Sequence, residues 1–184
     1  MGNVFEQRES ILFSRCLPGL FAILFSAVPT LAESLPDEGR LRLYNTHTRQ
    51  HLEVTYRHGS EYVPEALSTL DVFLRDNLTG DVHHFDPHLF DVLFDLTRTT
   101  GHPGAEINII CGYRSPQTNE YLRTHTSGVA KRSLHMEAEA IDIRLPGVKT
   151  SQLRDAALAL GRGGVGYYAT SDFIHVDVGR VRRW

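Results

Sequence analysis

Three side chains able to hold a metal ion, His135, Asp142 and His175, stand in two short segments, residues 133–142 and 173–177, whose other members are largely apolar. Two histidines and one carboxylate form a donor set that suits catalytic zinc, which keeps about three protein ligands and leaves a fourth position to water. Such ligands have to be delivered by rigid elements. Residues 140–143 (AIDI) alternate as a half-buried strand, which puts Ala140 and Asp142 on one face and Ile141 and Ile143 on the other. Residues 173–177 (FIHVD) alternate likewise, with Phe173, His175 and Asp177 sharing a face. Two neighbouring strands would then offer Asp142 and His175 to one point, and His135, on the loop entering the first strand, would fold back to complete the set. Asp177, on the face of His175, would orient that ring from behind. Spacing alone leaves a second reading open, in which the histidines are hydrogen-bonded core residues and the aspartate serves a turn or a cap.

The pattern Ser133-x-His135-x-x-Ala138-x-Ala140-x-Asp142 resembles the SxHxxGxAxD signature of the LAS-type zinc peptidases, a group that includes lysostaphin, D-Ala-D-Ala peptidases and sonic hedgehog, and His175 matches their downstream ligand. Residues 112–119 (GYRSPQTN), 128–131 (GVAK) and 175–184 (HVDVGRVRRW) resemble the murein endopeptidase K (YcbK-like) family, in one order along the chain. The resemblance implies a zinc ion on His135, Asp142 and His175, and peptidoglycan stem peptides as substrate. It also implies that Arg114 faces a substrate carboxylate and that Ser133 supports the site without attacking. Related zinc D-Ala-D-Ala peptidases carry a Glu or His shortly before the last ligand, which makes Asp172 the candidate general base. Glu137 and Glu139 stand behind it. One departure is Ala138, where the family has glycine. If that position needs positive φ, alanine is strained there.

Around these segments the chain is organised as one domain. It has 184 residues and a formal net charge of −3, without a basic block or a basic patch interleaved with aromatics, so nothing points to a nucleic-acid partner. Residues 1–32 have the pattern of an export signal, with Arg8 and Arg15 ahead of an apolar run that Pro18 and Pro29 interrupt, and a small-residue site at Ala32. That run is too short and too interrupted to read as a membrane span, and an uncleaved anchor stays open beside a cleaved signal. Cys16 would leave with the signal, so Cys111 remains as a lone small buried residue, and an internal disulfide is excluded.

Residues 41–45 and 51–56 alternate as an N-terminal hairpin, and residues 64–76 repeat apolar positions at helical intervals. The main core helix is predicted from Asp86 as N-cap and Pro87 in its first turn, through the face Leu89, Phe90, Val92, Leu93 and Leu96, to Gly101. Ser115 caps a short helix after strand 106–110, which leaves Arg114 at a strand-to-helix corner; anchoring of that corner and binding of an anion are both open to it. Residues 124–132 form a loop along the cleft. A helix from Thr150 to Gly161 precedes a strand at 165–168 that borders the site. The histidines at 83, 84 and 88 read as a polar loop, since consecutive side chains diverge.

The fold class is therefore α+β: a small antiparallel sheet carrying a zinc site, packed against helices, with an N-terminal hairpin, over residues 33–184. The function expected is a zinc metallopeptidase exported to the periplasm or cell envelope and hydrolysing amide bonds in peptidoglycan crosslinks (DD or LD type). The alternatives are a non-catalytic zinc-containing cell-wall binding module and a D-Ala-D-Ala carboxypeptidase. A serine hydrolase built on Ser133 lacks the glycine pattern of a nucleophile elbow.

Overall fold

A computed structural model describes residues 38–126 and 128–184; the export signal expected over residues 1–32, and Cys16 with it, lie outside them. The described chain is α+β, as expected, and the sheet is larger and more mixed than the small antiparallel one read from the sequence. Eight strands run in the order β3-β2-β1-β4-β5-β7-β6-β8. They are β1 (Glu38–Asn45), β2 (His51–His58), β3 (Glu61–Tyr62), β4 (Glu106–Cys111), β5 (Ala140–Arg144), β6 (Gly164–Tyr168), β7 (Phe173–Asp177) and β8 (Arg182–Arg183). The pairs β1/β4 and β6/β8 are parallel and the others antiparallel. Alternation shows that a segment is a strand but not the direction of its neighbour, which is why both parallel pairs went unread.

The helices are α1 (Pro64–Phe73), α2 (Pro87–Thr99), α3 (Pro116–His125) and α4 (Thr150–Leu160), with a single 3-10 turn at Leu134–Glu137. The Asp86 carboxylate accepts from the His88 amide at the start of α2, and the predicted face Leu89, Phe90, Val92, Leu93 and Leu96 is buried. This face meets one side of the sheet together with α4, where Leu43, Ile107, Ile109, Ile143 and Ile174 form the core. Each of these side chains is nearly inaccessible, so truncation of any one to alanine costs about 2–5 kcal/mol.

One irregularity sets up the site. Ile109 pairs with Ile143, but the next bridge joins Cys111 to Asp142, so β4 carries one extra residue there. Bulges of this kind bend a strand and re-aim the residues beyond the bend. From this point the cross-strand row runs from Cys111 to Asp142, from Asp142 to His175 and from His175 to Gly166, over four adjacent strands. The bulge also delivers Gly112, whose carbonyl lies 2.8 Å from His135 Nδ1.

Candidate metal centre and its cavity

Asp142 and His175 are direct cross-strand partners on β5 and β7, and His135 reaches them from the 3-10 turn. His135 Nε2 lies 3.2 Å from Asp142 Oδ1 and 3.1 Å from His175 Nδ1, while His175 Nδ1 lies 2.9 Å from Asp142 Oδ1. All three residues are buried. The sequence trio thus converges on one point.

The second partner of each ring decides its protonation. His135 Nδ1 sits 2.8 Å from the Gly112 carbonyl, which only accepts, so that nitrogen carries the proton. His175 Nε2 sits 3.1 Å from Asp177 Oδ2 and donates to it. When neutral, each ring therefore turns an unprotonated nitrogen toward the Asp142 carboxylate oxygen. Three acceptors about 3 Å apart in a buried pocket repel one another unless a positive charge lies among them. Tetrahedral N/O ligands at about 2.0–2.1 Å from an ion stand about 3.3 Å apart, close to these separations, so the donor set fits a small divalent cation. The protein's own titration expresses the same demand. Burial alone would lower the His135 pKa, but the Asp142 carboxylate reverses this and raises it well above the ordinary range. Burial would raise Asp142, yet His135 and His175 hold it far down.

Cys111 offers a competing donor, since its sulfur and ligand atoms of His135 and Asp142 all lie within 4.8 Å of one another. The set with His175 has its three donor atoms 2.9–3.2 Å apart, and the Cys111 sulfur already accepts from Arg114 Nη2 at 3.4 Å.

Asp177 stands behind His175 and is itself held by several donors. Its Oδ1 accepts from the Gly164 amide (2.8 Å), the Gly179 amide (2.9 Å) and Arg182 Nη1 (3.0 Å), while Oδ2 accepts from Arg182 Nη2 (2.7 Å) and His175. Burial would raise this carboxyl; hydrogen bonds from His175 and Arg182 outweigh it and hold the pKa at about 2. Ser133 is different. Its hydroxyl does not cap the 3-10 turn, and among the described residues it makes no hydrogen bond to His135, whose Nδ1 is held by the Gly112 carbonyl. Gly112 is required for that contact, because a Cβ there would stand 2.5 Å from the Leu74 carbonyl oxygen.

A cavity of about 310 Å³ lies above the trio, lined by His135, Asp142 and His175 with Arg114, Arg132, Ser133, Tyr168 and Trp184. Gly128, Val129 and Ala130 form the wall expected of the cleft loop, and Asn119 Nδ2 fastens it by donating to the Ala130 carbonyl at 3.1 Å. Arg114 both anchors and faces the cavity. Its amide donates to the His135 carbonyl (3.1 Å) and its Nη2 stands 3.9 Å from Asp142 Oδ2, while its buried Nε has no partner among the described residues. Tyr168 belongs to the strand expected to border the site, whereas Trp184 was not expected as a cavity wall. Trp184 was in view as the last residue of a recognised block, but only the folded chain shows its indole over the sheet.

Ala138 adopts φ 54° and ψ 34°, the left-handed conformation anticipated for the family glycine. Asp172 also has positive φ (54°), in the turn before β7. Its carboxylate pairs with Arg144 at 2.9 Å and accepts from the Thr150 hydroxyl at the start of α4. It does not line the cavity, so the geometry does not supply the base expected at this position. Glu137 and Glu139 do not line it either. The histidines at 83, 84 and 88 do not converge: His83 stacks on Tyr113, His84 pairs with Asp71 and His88 with Asp86.

A family model described as peptidoglycan L,D-endopeptidase MepK matches residues 33–184. The chain belongs to the MepK family. Among its relatives, the probable peptidoglycan L,D-endopeptidase MepK of Haemophilus influenzae is 42% identical over 151 residues, 82% of this chain and 81% of that one. Peptidoglycan L,D-endopeptidase MepK of Escherichia coli (strain K12) is 39% identical over 151 residues, 82% of each. A solved structure, the Serratia marcescens L-Ala D-Glu endopeptidase ChiX, matches 53% of this chain and 69% of its own at 17% identity and a TM-score of 0.35, too loose a likeness to bear on the fold. The span matched to MepK contains the whole trio, Arg114, Asp177 and the cavity loop.

Proposed function

We propose that the protein is a zinc-dependent peptidoglycan endopeptidase, exported to the cell envelope as a single domain of residues 33–184 and acting on amide bonds in stem-peptide crosslinks. The relatives' names support the substrate class, and the L,D bond is the one those names specify. The apolar run in residues 1–32 supports export, and among the described residues no helix is long and apolar enough to cross a membrane.

The single observation that carries the metallopeptidase reading is the convergence of two imidazole nitrogens and one carboxylate oxygen on the wall of a cavity. Zinc held there by His135, Asp142 and His175 would supply Lewis acidity, polarising the scissile carbonyl and acidifying a water. The rest is done by the chain. Asp177 and the Gly112 carbonyl fix both tautomers before substrate arrives, so no reorganisation is needed at the reacting centre. Arg114 and Arg132 face the cavity as cations, which suits the free carboxylates of stem peptides. Gly128, Val129, Ala130 and Trp184 line the cavity beside them.

A chelator-sensitive release of monomers from purified crosslinked muropeptide dimers tests the reading. Loss of both zinc and cleavage in His135→Ala is the expected result, and unchanged turnover in that variant would remove the mechanism. A non-catalytic binding module is the second reading. It draws on the cavity lining, where the described residues include no carboxylate or histidine beyond the trio. Retention of dimers without cleavage, at saturating zinc, would favour it. Release of terminal D-Ala without dimer cleavage would mark a carboxypeptidase.

A further inference from the structure

Tyr168 carries a hydroxyl that accepts one hydrogen bond and whose proton meets no acceptor among the described residues. The residue ends β6 opposite Phe173, two positions along from Gly166, the partner of His175. Its ring stacks on Phe173 with centroids 4.5 Å apart and planes 17° apart. Trp184 Nε1 donates to the Tyr168 hydroxyl oxygen at 3.0 Å. An indole N–H can only donate, so the tyrosine oxygen is the acceptor and its own proton is left for another group. Among the described residues that proton has no acceptor, and Tyr168 lines the same cavity as His135, Asp142 and His175.

Trp184 is itself held in place. Its amide donates to the Val165 carbonyl (3.2 Å), its carbonyl accepts from Tyr167 (3.0 Å), the Arg182 guanidinium lies over its ring at 4.9 Å, and the ring sits 5.2 Å from that of His175. The indole lies on the sheet because residue 166 is glycine: a Cβ there would be 2.7 Å from the indole Cε2.

Resting on the hydrolase reading, we propose that Tyr168 is a catalytic residue, its hydroxyl donating to the scissile carbonyl oxygen as that oxygen gains negative charge, with Trp184 as the positioning residue. The ring stack and the indole bond set the donor's direction before substrate binds, which is the condition under which a single donor contributes most to a rate. The indole bond also polarises the O–H, since an oxygen that accepts a hydrogen bond becomes a better donor.

The test uses the zinc-loaded full chain with a crosslinked muropeptide dimer. Tyr168→Phe keeps the ring stack and removes only the hydroxyl. It should lower kcat by about 10²-fold or more while leaving KM within about threefold. A phosphinate dipeptide mimicking the tetrahedral intermediate should lose affinity by a comparable factor in calorimetry, and the cleaved stem peptide should not. Trp184→Phe should slow the enzyme about tenfold when Tyr168 is present and add almost nothing in the Tyr168→Phe background, because its effect passes through that hydroxyl. Wild-type kcat in Tyr168→Phe, or additive losses in the double variant, would overturn the proposal while leaving the hydrolase reading in place. A wild-type protein that cleaves no crosslink would overturn that reading, and this inference with it.

Discussion

Replacing Asp177 with asparagine is the sharpest probe of how the centre is built. The two carboxylate oxygens have unequal partners: Oδ1 accepts from two backbone amides and Arg182, whereas Oδ2 accepts from Arg182 and His175. An asparagine keeps its oxygen on the Oδ1 side, where three donors demand it, and turns its NH2 toward His175 Nε2 and the Arg182 guanidinium. His175 then has to accept at Nε2, which moves its proton to Nδ1, the nitrogen facing Asp142. Metal affinity should fall about 10–100-fold, or about 1.4–2.7 kcal/mol. A separate loss of about 2 kcal/mol in fold stability arises because the carboxyl is held at about 2 in place of its ordinary 3.8. Competition with a chromophoric chelator at pH 7 reads the first quantity, and urea unfolding in zinc-free buffer reads the second. Arg182→Gln is the control. It removes two of the same hydrogen bonds but leaves the His175 tautomer alone, so it should weaken zinc less than Asp177→Asn does. The reasoning fails if Asp177→Asn binds zinc like the wild type, or if the control weakens it equally.

Single residues give three further expected outcomes. Asp76, which holds the Ser115 amide at 2.7 Å, is pushed up by burial but pulled down more by hydrogen bonds from Thr118, Ser115 and Leu78, to about 2. Its folded pKa lies below its unfolded one, so it contributes about 2 kcal/mol that is fully present above pH 4 and is lost between about pH 4 and pH 2; urea midpoints of Asp76→Asn should lose that pH dependence. Ala138→Gly relieves about 1–2 kcal/mol of left-handed strain, loses a buried methyl worth about 0.8 kcal/mol and adds about 0.4–1 kcal/mol of unfolded-state entropy, so stability should move by less than about 1 kcal/mol and activity should not change. A drop of more than about 2 kcal/mol on thermal melting would contradict this. Asp172→Ala should retain dimer cleavage within about twofold, since its carboxylate pairs outside the cavity in an exposed bridge worth about 0–1 kcal/mol.

Much of this centre could be read ahead of its structure because strand alternation is a local property. The period of two put Asp142 opposite Ile141 and Ile143, and put His175 and Asp177 on one face, and the register of β5 with β7 completes what alternation began. Caps were equally legible, since Asp86 and Ser115 act within three residues of themselves. What stayed hidden depends on distant segments. The bulge in β4 exists because Cys111 pairs with Asp142, thirty-one residues on, and no local signal marks it. Asp172 satisfied a spacing rule, but its side chain direction is set by Arg144 and Thr150, which spacing does not see. The Gly112 carbonyl that holds His135 comes from a segment twenty-three residues away, which no local pattern points to. Trp184 reaches the cavity because β8 pairs parallel with β6, and a strand of two residues leaves almost no pattern to find.

The same geometry couples metal binding to protons. In the metal-free protein the repulsion among His135 Nε2, His175 Nδ1 and Asp142 Oδ1 is relieved by a proton on His135, whose pKa is raised while that of Asp142 is lowered. His135 is therefore charged at neutral pH, and a cation entering the centre displaces that proton, because one nitrogen cannot hold both. Zinc binding near pH 7 should release about one proton, and affinity should rise about tenfold per pH unit until the folded pKa of His135 is passed. Calorimetry of zinc binding in two buffers of different ionisation enthalpy counts the protons directly. If none is released, the charge among the three donors is already balanced by some other group, and the tautomers assigned from Gly112 and Asp177 are wrong. In His135→Ala the release should vanish along with most of the affinity, which separates this proton from any held by Cys111.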